Sequence, residues 1–280
     1  MPDSSDTHGG REGVDIGRLV GSERVLQVLK ELAERPDGIS LDELSRSVGS
    51  AKPTVHRALT SLRRAGFARQ DRHGHYALGD EFIRLAFAHH EQRPEHVTIR
   101  PRLVALAERF GETAHYAVLD GRFVVYRAKV DPPSGAVRLT SLVGGRNPAH
   151  STAVGKLMLA GRLPDSAAVR AWVDQAPLAR PTPRTLVGAR SLHRELVAVR
   201  AQGYAVDDQE NEPYVTCLAV PVRDPAGTEI VGAVSVSALA YRTPLETLVA
   251  AVEEIRELAG LRPRLPGFPG QPGLPSRETA

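Results

Sequence analysis

Cysteine and long apolar runs are both scarce in this sequence of 280 residues. Its one cysteine, Cys217, excludes an internal disulfide framework and a four-cysteine zinc site, and it fits a reducing compartment. The longest apolar stretch, IVGAVSVSALAY, is interrupted by serine and is shorter than the roughly 20 residues that span a bilayer. The start, MPDSSDTHGGREGVDIG, lacks the basic beginning and the apolar centre of a secretory signal. We therefore expect a cytoplasmic protein that does not enter a membrane.

Excess charge is also small, because 36 Lys and Arg residues face 33 Asp and Glu residues, a net charge of +3. Any anionic partner must therefore be met by a local basic patch rather than by the whole surface. Apolar residues make up 41% of the chain and charged residues 25%, which is the balance of a soluble globular protein. The length allows two domains of ordinary size.

The chain is predicted to hold two domains between loose ends. Residues 1–20 are rich in Gly, Ser and Asp, and residues 261–280 contain five Pro and three Gly, so both ends are expected to be disordered. Residues 21–80 show three short helices and a hairpin, and residues 81–96 show a linker helix. Residues 97–260 predict an α+β domain with an antiparallel sheet. Its strands are predicted at TAHYAVLD, FVVYRAK, AVRLTSLV, CLAVPV and EIVGAVSVS, and its last helix at PLETLVAAVEEIRELAG.

Local signals define the elements of the first domain. Ser40 and Glu43 form a capping-box pattern at the start of the second helix. Pro53 stands in the first turn of the third helix, where its missing N–H costs nothing. Gly66 ends that helix, and FARQD and HYAL then predict two strands around a turn at Gly74.

The third helix separates apolar and basic residues onto two faces. Four apolar residues at helical spacing predict a core-facing stripe, namely Val55, Ala58, Leu59 and Leu62. From Arg46 to Arg72 there are seven Lys or Arg residues and one acid, Asp71. A basic helix that is only solvated would have acids four residues from its bases, each pair stabilising it by about 0.2–0.5 kcal/mol. None occurs between Lys52 and Gln70, so we favour a surface that meets an anion.

This basic surface is predicted to bind double-stranded DNA. A helix, a short turn and a second helix with small polar residues at its start suit insertion into the major groove, and the basic hairpin would lie beside it as a wing. The domain is therefore predicted to be a winged helix-turn-helix. Its predicted DNA contacts are Lys52, Thr54, His56, Arg57, Ser61, Arg64, Arg69 and Arg72.

Three stretches in order carry a family resemblance: TVHRALTSLRRAGFARQDRHGHYALG, NPAHSTAVGKLMLA and GYAVDDQENEPYVTCLAVPVRDPAGTEIVGAVSVS. Together they resemble the IclR family of bacterial transcription regulators, over about residues 20–260. The resemblance implies a C-terminal GAF-like domain that binds a small-molecule effector. We expect this effector, a small carboxylic or aromatic acid, to modulate operator binding.

The resemblance also implies the residues of an effector pocket. The first backbone N–H groups of the helix in STAVGK, at Ala153 and Val154, would meet an anionic group. Leu139 would supply part of an apolar wall, and the polar wall would consist of Asp207, Cys217, Ser235 and Ser237. Spacing alone leaves a plainer interpretation open, in which the two serines are one face of a strand and the aspartate caps a turn.

One residue departs from the family's pattern. The family usually has glycine a few residues before this cysteine, whereas the present chain has Tyr214 in NEPYVTC. We expect the bulky ring either to narrow the pocket or to stack on a ligand.

Motifs for catalysis are weak or absent. HSTAVGK lacks the first glycine of a phosphate loop and has Leu157 in place of its Ser or Thr. The sequence has no G-x-S-x-G nucleophile elbow. Cys217 opens the apolar run CLAVPV, where a cysteine is usually a small hydrophobic residue. We therefore expect no enzyme activity, no cofactor and no metal site.

The resemblance further implies an effector-responsive repressor of a neighbouring catabolic operon. Half-site geometry, together with the apolar side of the 81–96 helix, predicts a homodimer or a dimer of dimers on a palindromic operator. That side consists of Phe82, Ile83, Ala86 and Phe87. Two alternatives are a small-molecule enzyme whose basic domain only docks it to nucleic acid, and a pure protein-interaction module.

Overall fold

The computed structural model describes residues 21–91, 97–132, 139–224 and 226–261. The chain divides into two units, Met1–Gln92 and Arg93–Ala280. The predicted arm at residues 1–20 lies outside the described residues, as do residues 262–280 of the predicted tail and residues 92–96 of the predicted linker helix. Within the described ranges, no helix is both long enough and apolar enough to cross a membrane.

The first unit has the element order predicted for a winged helix-turn-helix. Its helices are Gly21–Ala33 (α1), Leu41–Ser47 (α2), Lys52–Arg64 (α3) and Asp80–Glu91 (α4), and its strands are Ala68–Gln70 (β1) and Tyr76–Leu78 (β2). The two strands pair antiparallel, with Ala68 opposite Leu78. The apolar stripe of α3 is fully buried, as predicted, and packs against Val28, Leu32 and Leu44 of α1 and α2.

Local hydrogen bonds fix the start of α2. The Ser40 hydroxyl accepts from the backbone N–H of Glu43, and the Glu43 carboxylate accepts from the backbone N–H of Ser40. The predicted capping box is therefore confirmed. Pro53 stands in the first turn of α3, and Gly66 follows the end of that helix with a φ of 78°, a value that favours glycine.

Helix α4 leaves its apolar side chains exposed. Phe82 is 41% exposed, Ile83 51%, Leu85 43% and Phe87 60%. Four large apolar residues on one exposed helix are typical of an interaction surface.

The second unit is a six-stranded sheet with helices on both faces. Its strands are Thr113–Asp120 (β3), Phe123–Val130 (β4), Arg146–Pro148 (β5), Ala205–Asp208 (β6), Val215–Arg223 (β7) and Ile230–Leu239 (β8). Its helices are Arg100–Phe110 (α5), Ala153–Arg162 (α6), Ser166–Val173 (α7), Ala189–Gln202 (α8), Leu245–Ala250 (α9) and Val252–Leu258 (α10). The strands lie in the order β5-β4-β3-β8-β7-β6, and all five neighbouring pairs are antiparallel. The predicted α+β fold is confirmed.

Two local predictions are wrong. The described part of AVRLTSLV, residues 139–143, is irregular rather than a strand, because the carbonyls of Leu139 and Ser141 accept from Lys129 Nζ instead of from a neighbouring strand. The predicted last helix is divided into α9 and α10 at Ala251, whose φ of −94° and ψ of 10° depart from helical values.

The two faces of the sheet differ because side chains alternate along each strand. One face has large apolar residues such as Leu218 and Val234, and it packs against α5, α9 and α10. The opposite face has Ala117, Ala219 and Ala233, and it packs against α6, α7 and α8. These alanines leave room for α6 to lie close to the sheet.

Helix α6 also lies close to the backbone of the segment that precedes it, and this contact requires glycine at position 155. A Cβ atom at Gly155 would lie 2.1 Å from the carbonyl oxygen of Ala149, in the segment that precedes the helix. A backbone carbonyl cannot rotate away as a side chain can, so a larger residue would displace the first turn of α6.

Gly155→Ala should therefore lower the unfolding free energy of the second unit by about 1–3 kcal/mol or more. Gly161→Ala is the matched control in the same helix, because its added Cβ would meet only the Ile230 side chain at 3.4 Å. Helix propensity should leave that variant unchanged or up to about 1 kcal/mol more stable. Urea unfolding followed by circular dichroism measures both, and equal losses in the two variants would contradict the steric explanation.

Candidate functional site

The outward face of α3 is basic and open to solvent. Lys52, His56, Arg57, Ser61 and Arg64 are exposed, and Thr54 is partly buried. The side-chain hydroxyl of Ser61 donates to the Arg57 carbonyl within the helix. The predicted DNA contacts of this helix therefore lie on one side, opposite its buried stripe.

Lys52 has an acidic partner that the sequence pattern did not reveal. Its ammonium lies 2.7 Å from the carboxylate of Asp42 in α2, and both side chains are more than half exposed. An exposed pair of this kind contributes little to stability, so Lys52 can exchange Asp42 for a phosphate. Ten residues separate the pair, which places it outside the i,i+4 spacing used to look for acids.

The hairpin extends the basic surface. Arg69 and Arg72 are exposed, and the carboxylate of Asp71 accepts from the backbone N–H groups of His73 and His75, both at 2.9 Å. These hydrogen bonds, with that of His75 the stronger, lower the pKa of Asp71. The one acid of the basic stretch thus serves the turn of the hairpin.

A cavity in the second unit brings together every residue predicted for the effector pocket. The space, about 440 Å³ including the part open to solvent, lies between the start of α6, the sheet and two loops. The seven predicted residues that line it are Leu139, Ala153, Val154, Asp207, Cys217, Ser235 and Ser237.

The polar wall follows directly from strand register. Asp207 lies opposite Cys217, and Cys217 opposite Ser237, so three neighbouring strands contribute one row of small polar side chains. Ser235, two residues along β8, lies opposite His115 of β3. The two serines lie on one face of β8, as the plainer interpretation has it, and that face lines the cavity.

The start of α6 presents backbone N–H donors for which the helix itself has no acceptors. Thr152 is the N-cap, and its hydroxyl accepts from the backbone N–H of Gly155 at 3.1 Å. The N–H groups of Ala153 and Val154 belong to the first turn, which has no acceptors within the helix. Together with the positive end of the helix dipole, they form a site suited to a carboxylate.

Asp207 also caps a turn, as the plainer interpretation proposed. One oxygen of its carboxylate accepts from the backbone N–H of Glu210 at 2.7 Å and of Asn211 at 3.3 Å. Burial raises the pKa of Asp207 to about 7 in spite of these hydrogen bonds. The side chain therefore changes charge near neutral pH while it lines the pocket.

His115 is a pocket residue that the sequence reasoning missed. Its Nε2 lies 2.8 Å from the hydroxyl of Ser141 and its Nδ1 lies 3.3 Å from that of Ser237. Burial, with a smaller effect of Lys129, lowers the pKa of His115 to about 3, so the imidazole is neutral. Its ring lies 4.8 Å from that of Tyr126, which also lines the cavity.

Tyr214 does not act as expected, because it is not among the residues that line the cavity. Its side chain is 70% exposed, so the ring neither narrows the pocket nor faces a ligand there. The backbone at Tyr214 has a φ of 65°, in the left-handed region. That conformation gives a physical reason for glycine at this position, since glycine adopts it without a steric penalty.

Cys217 and Lys156 lack the features that catalysis would need. Burial raises the pKa of the Cys217 thiol well above its usual value, which leaves little of the nucleophilic thiolate. The lysine of the Gly-Lys pair is fully buried and forms ion pairs with Glu195 and Glu210, so it is not available to a phosphate. The described residues include no cluster of His, Cys, Asp and Glu that could hold a metal ion.

A basic winged helix-turn-helix in the first unit and a ligand-sized set of polar and apolar residues around a cavity in the second define a DNA-binding regulator that responds to a ligand. Comparison with family models gives two matches, the IclR helix-turn-helix domain over residues 22–72 and the bacterial transcriptional regulator IclR C-terminal domain over residues 96–260. The chain belongs to the IclR family of DNA-binding transcriptional regulators.

Individual relatives agree with this assignment. The HTH-type transcriptional regulator XynR of Escherichia coli (strain K12) is 32% identical over 240 residues, which cover 85% of this chain and 93% of XynR. The HTH-type transcriptional regulator BhcR of Paracoccus denitrificans (strain Pd 1222) is 31% identical and covers 90% of this chain and 88% of BhcR. The crystal structure of an IclR transcriptional regulator from Alicyclobacillus acidocaldarius matches with a TM-score of 0.73 and 26% identity, over 86% of this chain and 96% of that one.

The pKa of Asp207 predicts a pH dependence of stability. Asp207 has a pKa of about 7 in the folded state, which is above its value in the unfolded chain. As the pH rises, the unfolded chain therefore releases this proton first, and the free energy of unfolding decreases. From pH 5 to pH 8 the wild type should lose about 2–3 kcal/mol relative to Asp207→Asn. Asp208→Asn is the control, since Asp208 is half exposed and paired with Arg184. Urea unfolding at both pH values is the measurement, and parallel curves for all three proteins would contradict the prediction.

Proposed function

We propose that α3 and the hairpin of the first unit bind operator DNA through the eight residues predicted above. The observation that carries this proposal is the exposed basic surface of α3 and the hairpin, on which the one acid, Asp71, is occupied in the turn. Arg57 and Arg64 have the length and the donors to reach guanine edges, and Lys52, Arg69 and Arg72 suit phosphates. Such binding requires access to chromosomal DNA, so we also propose a cytoplasmic location.

The operator is proposed to be palindromic and the protein a homodimer or a dimer of dimers. A two-fold operator matches a two-fold protein, whose half-sites lie one helical turn apart. The exposed apolar residues of α4 are a surface that a second copy could cover. A protein of this kind recognises DNA with two heads rather than one.

Repression of a catabolic operon is the proposed regulatory outcome. The relatives named as repressors include the acetate operon repressor of Salmonella typhimurium at 28% identity and the DNA-binding transcriptional repressor YiaJ of Escherichia coli at 31%. Their names concern those proteins, and we extend the role of repressor to this chain as a hypothesis.

The pocket of the second unit is proposed to bind the effector, a small carboxylic acid. Its carboxylate would accept hydrogen bonds from the N–H groups of Ala153 and Val154, and neutral His115 and Tyr126 would face the remainder of the ligand. Planar side chains in this wall also accommodate an aromatic acid. No catalytic role is proposed, and an enzymatic turnover that Cys217→Ala abolishes would favour the alternative of an enzyme.

Arg57→Ala should weaken operator binding by about 1–3 kcal/mol where the guanidinium meets a base edge, and Arg64→Ala likewise. If either side chain contacts only a phosphate, its alanine variant should neutralise about one phosphate fewer. The negative slope of log affinity against log salt should then become shallower by about one. Arg170→Ala is the charge-matched control, because Arg170 is exposed on α7 in the second unit. Fluorescence anisotropy with DNA from the region upstream of neighbouring genes measures the effect. Unchanged affinity in both α3 variants would favour a protein-interaction module instead.

Ala153→Pro should abolish acid binding without unfolding the second unit. Proline is well tolerated at the first position of a helix but has no N–H to donate, and the extended backbone of Thr152 suits a residue before proline. We expect binding at least tenfold weaker for any acid found in a thermal-shift panel of two- to four-carbon and benzoic acids. Ser166→Pro is the control at the first position of α7, and it should bind as the wild type does. Full binding by Ala153→Pro would overturn the proposed site.

A further inference from the structure

Lys156 is a buried charge placed one turn behind the donors of the pocket. It is the fourth residue of α6, its side chain is fully buried, and it does not line the cavity. A buried ammonium must be paired, since its desolvation otherwise costs several kcal/mol. Lys156 therefore needs its partners, and they lie on two separate elements.

The two partners of Lys156 differ in position. Glu195 belongs to α8, and its carboxylate lies 2.8 Å from Lys156 Nζ. Glu210 belongs to the loop between β6 and β7, and its carboxylate also pairs with Lys156 Nζ. Burial opposes the charge of Lys156, but Glu210 and Glu195 outweigh it and raise its pKa, so the lysine is an ammonium.

The loop that Glu210 anchors forms one wall of the pocket. The backbone N–H groups of Glu210 and Asn211 donate to Asp207, and Asn211 and Glu212 line the cavity beside it. The hydroxyl of Thr185 donates to the carbonyl of Glu210 at 2.6 Å. The loop is thus tied at its backbone by Thr185 and at its side chain by Lys156.

Lys156 is the cation that pairs with the Glu210 carboxylate. Its Oε2 atom is buried and has no hydrogen-bond partner among the described residues. A buried carboxylate with one unsatisfied oxygen depends strongly on its single cation. Loss of the Lys156 pair would therefore release the Glu210 side chain toward solvent and move the loop that carries it.

We infer that Lys156 is a positioning residue of the effector site: through Glu210 it fixes the Asp207–Glu212 wall opposite the N–H donors of Ala153 and Val154. The ammonium of Lys156 connects two walls of the pocket. The N–H donors of Ala153 and Val154 lie on α6, as Lys156 does, and the Asp207–Glu212 wall lies on the loop that carries Glu210. Its second partner, Glu195, balances the charge from α8, and among the described residues its ion pair is with Lys156 rather than with a residue of the loop. The inference rests on the proposed function of the pocket.

The asymmetry between the two glutamates gives the test. Glu210→Gln keeps the shape of the side chain but removes the ion pair with the loop, and Glu195→Gln makes the same change on α8. Hydrogen exchange followed by mass spectrometry reports the amides of residues 207–214 in the full chain, and titration calorimetry reports binding of whichever panel acid binds the wild type.

Glu210→Gln should increase exchange of the loop amides and weaken acid binding, each by at least tenfold, whereas Glu195→Gln should leave both within about twofold of the wild type. Lys156→Met alone should be the most disturbed variant, and adding Glu210→Gln to it should restore part of its loop protection, a rescue that a merely space-filling lysine would not show. Wild-type loop exchange in Glu210→Gln, equal effects of the two glutamine variants, or absence of rescue would each overturn the inference. If no acid binds the wild type, the proposed effector site fails, while the exchange data still decide whether Lys156 holds the loop.

Discussion

The close approach of α6 to the sheet is the constraint on which the second unit depends. Gly155 allows the first turn of the helix to lie against the Ala149 carbonyl. On the facing side of the sheet, the short side chains of Ala117, Ala219 and Ala233 allow the helix to pack close to the strands. As a result, the first-turn N–H groups of α6 lie near the end of the sheet where small polar side chains replace the alanines. The same approach buries Lys156, so the packing of the helix and the geometry of the pocket cannot be changed separately.

The chemistry of the pocket matches an acid ligand in two respects. The N-terminus of α6 offers hydrogen-bond donors and positive potential without a full charge. Asp207, on the opposite wall, is a carboxyl group with a pKa of about 7, so the site can take up a proton as an anion enters. His115 is neutral and presents polar nitrogens beside the ring of Tyr126, so this wall offers both hydrogen-bonding and apolar surface.

Features set by neighbours in the sequence could be predicted, and features set by distant partners could not. The capping box at Ser40, the buried stripe of α3 and the alternation that places Ser235 and Ser237 on one face are local patterns, and the structure has all of them. The pair of Lys156 with Glu210 joins residues 54 positions apart, and the approach of Ser141 to His115 joins residues 26 apart, so neither leaves a periodic signal. The short strands β5 and β6 are not among the predicted ones. Tyr214 was misjudged because backbone conformation, not ring size, decides that position.

We propose that a small acid in the pocket changes the affinity of the first unit for its operator. Such coupling exists only if the acid binds one arrangement of the protein better than the other. The direct measurement is operator affinity of the full chain by fluorescence anisotropy, with and without a saturating acid, at one fixed salt concentration. We predict a change of about 5- to 150-fold, the usual range of allosteric coupling, and its disappearance in Ala153→Pro. An operator affinity that stays the same when the pocket is saturated would contradict the claim.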